Sequence, residues 1–251
     1  MIILLVFVFI FLQMNVVWVV YRLLKNPSVV DTSWSLGLMI AGLIYLWSVP
    51  ITPRSAVISA LLILWALRLA GYLWYTRISK GHVDKRYTEM SNSWKINQYL
   101  GFFLNFQLQG FLIFIISLVF FFISQSNQSN LQPFDALAVF MVLVGIAGES
   151  IADLQLNKFK AQEKGGVCTI GLWNYSRHPN YFFDWLSWAG FTLFALQSNK
   201  GYLALIPLLL LYYIFTHITG PITERGSVQS RGQKYIDYQK QTSMFFPWFK
   251  K

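Results

Sequence analysis

The sequence predicts an all-α polytopic membrane bundle of about seven transmembrane helices, with the amino terminus outside and the carboxyl terminus cytoplasmic. Three observations predict it. First, the 251 residues are 55% hydrophobic and only 12% charged, where a soluble domain carries about a quarter charged residues. Second, the apolar residues fall in long runs, each near the roughly 20 residues that a helix needs to cross a bilayer core. Third, Lys and Arg are distributed very unevenly among the segments between those runs, as the positive-inside rule requires.

The candidate spans are residues 2–21, 33–49, 55–76, 100–123, 134–152, 181–197 and 202–218, the second and sixth being short. The first has the apolar core of a signal peptide but neither its basic start nor its small-residue cleavage site, so it reads as an anchor. With the amino terminus outside, seventeen of the twenty Lys and Arg fall on the inner side: Arg22 and Lys25; Arg77, Lys80, Lys85, Arg86 and Lys95; Lys158, Lys160, Lys164 and Arg177; and Arg225, Arg231, Lys234, Lys240, Lys250 and Lys251. The outer loops hold only Arg54 and Lys200, and Arg68 lies within the third run. The excess also fits contact with anionic lipid. The net charge of +10 is thereby explained by topology. Short juxtamembrane loops do not make the continuous basic face of a nucleic-acid module.

No internal repeat, low-complexity tract or extended linker divides the chain, so residues 1–251 read as a single membrane domain. A single cysteine, Cys168, excludes an internal disulfide framework and a multi-Cys zinc site. Three scattered histidines argue against a catalytic zinc, and no metal site is expected. Walker, Gly-x-Gly-x-x-Gly and Gly-x-Ser-x-Gly motifs are missing from the sequence. A phosphate-bearing ligand would therefore be held by Arg and Lys in loops.

The polar residues are concentrated. From Gly165 to Asp184 stand three glycines, Arg177, His178, Asn180, Tyr181 and Asp184, directly ahead of an apolar run. Such a density at a membrane boundary points to the grip of a charged cofactor. Arg68 and Tyr72, and Glu149 and Asp153, are each four residues apart and share a helix face. Arg68 with Glu149 also reads as an ion pair joining helices. Asp31 and Asp184 also read as helix N-caps, and Asn105, Gln107 and Gln109 as interhelical hydrogen-bonding groups. Pro27 and Pro179 mark helix starts or turns.

The block Arg177-His178-Pro179-Asn180-Tyr181, with an acid three residues on, resembles a superfamily of polytopic membrane enzymes. It comprises steroid 5-alpha-reductases, sterol reductases and isoprenylcysteine carboxyl methyltransferases. The whole length is most similar to the bacterial branch labelled domain of unknown function 1295. The match is carried by Asn26 to Gly37, by Leu67-Arg68-Leu with Tyr72, Arg77, Asp84, Arg86 and Tyr87, by Asn105-Phe-Gln-Leu-Gln109-Gly110, and by Tyr235-Ile-Asp-Tyr238 with Pro247-Trp248. The resemblance implies seven helices and a cytosol-facing NADPH site formed by loops 77–99 and 153–180 and the tail 219–251. Its cofactor contacts would be Asp153, Lys160, Arg177, His178, Asn180, Tyr181, Asp184, Arg231 and Tyr235, with Asn105, Arg77 and Arg86 as further candidates. The implied reaction is hydride transfer to a C=C bond conjugated to a carbonyl in a lipidic substrate, steroid-like or isoprenoid. Tyr72, and after it Asp31, would be the catalytic proton donors. Two positions depart from the steroid reductases: the second span lacks their Gln-Glu pair, and their catalytic tyrosine is replaced by Trp65. The alternatives are a membrane methyltransferase using S-adenosylmethionine and a non-enzymatic lipid-binding protein. The expected partners are the bilayer and a lipophilic small molecule, with a bacterial inner membrane favoured over the endoplasmic reticulum.

Overall fold

A computed structural model describes residues 1–163 and 165–250. Lys164 and Lys251, both counted above among the inner cations, lie outside the described residues. The described chain is helical and has no strand, only an isolated parallel bridge between Ser176 and Ser243. Among the described residues six helices are long and apolar enough to cross a membrane, which makes this an integral multi-pass membrane protein. The sixth expected span, 181–197, forms as Pro179–Ala195, a helix of 17 residues. At 1.5 Å per residue it covers about 25 Å, a little short of a hydrocarbon core of ~30 Å.

The chain divides into two compact units, Met1–Gln132 with Phe194–Pro207, and Pro133–Leu193 with Leu208–Lys251. The first contains α1 (Ile2–Leu24), α2 (Val29–Leu46), α3 (Pro53–Leu73), α4 (Lys85–Asn92) and α5 (Gln98–Ser124). Inside it α2 packs against α1, α3 and α5. Composition explains why α2 is interior. It is the least hydropathic of these spans yet 56% buried, whereas the far more apolar α1 is 17% buried. In lipid the oily helix can face the tails, while the helix carrying Ser33, Ser35, Gly37 and Gly42 gains most from close helix contact. On α1 the outward side chains include Leu4, Leu5, Leu12 and Val16.

Local chemistry sets the helix starts. Pro53 occupies the first turn of α3 behind a reciprocal Thr52–Ser55 capping box. Asp84 caps α4 and Asn97 caps α5. Asp31 is not an N-cap. Ser28 holds that position, and Asp31 sits in the first turn of α2, where a negative charge favours the helix dipole. Arg54, expected in an outer loop, is 2% exposed at the start of α3. It donates to the Phe194 carbonyl at 3.0 Å and lies over the Phe194 ring.

The second unit contains α6 (Pro133–Gln162), α7 (Pro179–Ala195), most of α8 (Leu205–Tyr213), α9 (Gly220–Arg231) and α10 (Gln233–Gln241). With 30 residues, α6 extends some ten positions past its expected end, because hydropathy marks the bilayer and not the end of the helix. A methyl group added at Gly145 of α6 would lie 2.6 Å from the Phe183 carbonyl and 2.2 Å from Ser187 Oγ, both on α7. Glycine here sets how closely the two helices approach. A π turn, Ile214–Thr219, joins α8 to α9. Gly232 separates α9 from α10 at φ 58°, ψ −133°, a conformation open essentially to glycine alone.

Candidate functional site

In the second unit the site is built on a polar latch between the segment 173–178 and the tail. Arg177 is its centre. Its Nε and Nη2 donate to the two Glu224 carboxylate oxygens at 2.6 and 3.2 Å. Its Nη1 donates to the Gln239 and Thr242 carbonyls at 2.9 and 2.7 Å, so the cation closes the carboxyl end of α10. Glu224 also pairs with His178 Nε2 at 3.1 Å and accepts from Gln239 Nε2 at 2.7 Å. Further bonds fasten the same two stretches. Tyr238 donates its hydroxyl to the Trp173 and Ser176 carbonyls. Backbone bonds run from Arg177 N to Ser243 O and from Trp248 N to Tyr175 O. His178, Tyr181 and Phe215 form a stack with centroid spacings of 5.0 and 5.1 Å.

Beside the latch lies a small apolar core of Phe159, Cys168 and Trp173, closed by Leu156. Leu172 N donates to Gln155 Oε1, and Trp173 Nε1 to the Ala152 carbonyl, both at 2.9 Å, holding the segment onto α6. Burial pushes the Cys168 thiol pKa up, against the pull of the Ile170 backbone and of the Lys160 and Arg231 charges. Burial, reinforced by the Glu224 charge, pushes Tyr235 up to about 12, while Arg177, Ser227 and Arg231 oppose it. Arg231 gives one of its five donors to Ser227 Oγ at 2.9 Å. Asn180 donates to Asp153 Oδ1 at 3.5 Å, and its own Oδ1 is buried with no hydrogen-bond partner among the described residues. An open groove of ≈ 410 Å³ is lined by Pro221, Glu224, Arg225, Val228, Gln229, Gln239 and Met244.

A second polar cluster belongs to the first unit. Asp31 pairs with Arg77 and accepts from the Tyr87 hydroxyl at 2.8 Å. Asp84 pairs with Arg77 at 3.1 Å and Arg86 at 2.8 Å. Ser28 Oγ accepts from Asp84 N at 2.9 Å, and Asn26 donates to the His82 carbonyl at 3.3 Å. Burial alone would raise the Asp84 carboxyl. The Arg86 and Arg77 guanidiniums outweigh it and hold Asp84 well below the usual carboxylate range. Burial, with the Asp31 charge, pushes the Tyr87 phenol well above its usual value.

A family model described as protein of unknown function (DUF1295) matches residues 17–242. The chain belongs to that family. No curated protein and no solved structure matches it.

The stretches 26–37 and 67–87 meet in one ion-pair cluster, which contains Asp31, Arg77 and Arg86. Tyr72 has the Arg68 guanidinium over its ring at 5.7 Å. Asn105 accepts from Gln109 at 2.8 Å and faces the Met90 sulfur. The second unit carries Asp153, Lys160, Arg177, His178, Asn180, Tyr181, Asp184, Arg231 and Tyr235. Asp184, read as the start of its helix or a cap, lies in the second turn of α7, behind Pro179. Arg177 and His178 are committed to Glu224 and the tail, so their structural work in the latch is larger than the sequence implies. Glu224, Gln239 and Trp173 carry that latch and were not singled out from sequence. Glu224 was findable in principle, as the lone acid directly after the last apolar run.

Proposed function

We propose that the chain is a membrane-embedded, NADPH-dependent reductase that transfers a hydride to a C=C bond conjugated to a carbonyl in a lipidic substrate, steroid-like or isoprenoid. The observation that carries this reading is the orphaned, buried Asn180 Oδ1 beside Asp153. A buried acceptor without a donor costs about 1–3 kcal/mol, and a ribose hydroxyl or a carboxamide N–H would satisfy it. Cations of the same unit support the same ligand. Arg231 and Lys160 carry charges of the sign that suits phosphates. When bound, the dinucleotide supplies the hydride.

In this reading Asn180 and Asp153 orient the ligand, and Arg231 and Lys160 offset its charge. The Arg177–Glu224 latch holds the tail that bears Arg231 and Tyr235. Tyr72 is preferred over Asp31 as proton donor, because the Asp31 carboxylate is already engaged by Arg77 and Tyr87. The amino terminus lies outside, the loops 77–99 and 153–180 and the tail lie in the cytoplasm, and a bacterial inner membrane is favoured over the endoplasmic reticulum.

The test is a titration of purified full-length protein with NADPH, followed by nicotinamide fluorescence, and with S-adenosylmethionine by calorimetry. Saturable NADPH binding, weakened about tenfold by Asn180→Ala, is expected. Binding of S-adenosylmethionine instead would make the chain a methyltransferase, which the shared Arg-His-Pro block also accommodates. Binding of neither would leave a lipid-binding protein.

A further inference from the structure

We propose that residues 246–250 form an interfacial wedge that seats in the headgroup boundary of the lipid bilayer. Phe246, Trp248 and Phe249 are 47%, 69% and 76% exposed, while the adjacent Phe245 is 5% exposed. The segment is thus sided, with one aromatic turned inward and three outward. Its backbone is fixed in that attitude. Ser243 bridges to Ser176, and Trp248 N donates to the Tyr175 carbonyl at 2.9 Å. Three large apolar side chains left this exposed within four residues are of the kind that marks an interaction surface.

The neighbouring helices identify the occupant. The Phe246 ring lies 5.9 Å from Trp185 of α7 and 6.0 Å from Tyr212 of α8. Around Tyr212, α8 turns Leu209 and Tyr213 outward at 62% and 53% exposure, on a span apolar enough to cross a membrane. Those side chains face lipid, and Phe246, packed on the adjacent Tyr212, borders that surface. Its composition fits that level. Trp and Tyr collect at membrane–water boundaries, and a lysine can extend its stem past apolar groups to place its ammonium among headgroup phosphates. Lys250 follows the aromatic run directly, with Lys251 next in sequence. The latch anchors one end of the tail to the protein, and the wedge anchors the other end to the bilayer. The wedge does not depend on which cofactor the protein takes.

The experiment uses the full chain in nanodiscs of phosphatidylcholine and phosphatidylglycerol, with bromine placed on the acyl chains either near the headgroup or near the methyl end. Ten tryptophans emit together, so the Trp248 component is taken as the difference between wild type and Trp248→Phe. Seating about 5–10 Å below the headgroups predicts a blue-shifted component, quenched at least ~2-fold more by shallow than by deep bromine and shielded from aqueous iodide. Iodide access without bromine quenching would place the residue in water and overturn the proposal. Shielding from both quenchers would mean that protein covers it, a second copy included, and would overturn it equally. A bimane probe on Phe249→Cys, in a Cys168→Ala background, reads the same depth independently of Trp248.

Discussion

Replacing Glu224 with alanine isolates the latch. The side chain is 9% exposed and neutralises Arg177, itself 12% exposed. Its loss also removes the partner of His178 and of Gln239. Removing one member of a buried pair leaves an uncompensated charge, at a cost of about 3–5 kcal/mol. The lower end applies here, because the guanidinium keeps the Gln239 and Thr242 carbonyls at 2.9 and 2.7 Å. A local cost of about 3 kcal/mol multiplies the open population of the tail roughly a hundredfold. Hydrogen exchange read by mass spectrometry on peptides covering residues 233–248 measures that directly. Amides of Tyr235, Thr242 and Trp248 should lose about a hundredfold in protection, while α1 and α2 peptides keep theirs. Glu224→Gln retains an acceptor and should cost about tenfold. If Glu224→Ala changed tail protection less than ~3-fold, the latch would not be what holds the tail.

Acid offers a second measurement. Asp84 is held below its unfolded value, so its contribution to stability is complete above the ordinary Asp pKa of ~3.9 and is lost as pH falls toward the lower folded value. Asp84→Asn should therefore flatten the stability–pH curve of detergent-purified protein below about pH 4, with a lower plateau at neutral pH. Tyr87→Phe removes one hydrogen bond to Asp31 and should cost about 1 kcal/mol in thermal unfolding. Gly145→Ala should destabilise by about 1–3 kcal/mol, because the added methyl meets the Phe183 backbone carbonyl, which cannot rotate aside. Asn180→Ala should weaken NADPH about tenfold without lowering Tm, since a ligand acceptor is lost and only the weak bond to Asp153 goes with it.

The membrane helices were legible because lipid imposes a simple rule: every backbone group must be satisfied within the segment, and every outward side chain must be apolar. Hydropathy therefore located α1, α3 and α5 to within a few residues. It missed where α6 ends and missed α9 altogether, because both stretches leave the apolar run while remaining helical. Pro179 marked the start of α7 because its fixed φ suits a first turn. The cluster around Asp31 and Arg77 was legible only as separate motifs. Nothing in the spacing from Asp31 to Asp84 says that those carboxylates share a guanidinium.

Composition, apolar run length and local punctuation thus determined that this is an all-helical, multi-pass membrane protein, and which polar segments were candidates for chemistry. Tertiary structure decided how those segments are used: Arg177 and His178 turned inward on Glu224, Asn180 Oδ1 left without a donor, and the tail folded back on Tyr175 and Ser176. The division follows from the range of the forces. Burial in lipid acts residue by residue along the chain and leaves its periodicity in the sequence. An ion pair between positions 177 and 224 depends on two distant backbones arriving within 3 Å, and that distance is set only when the helices pack.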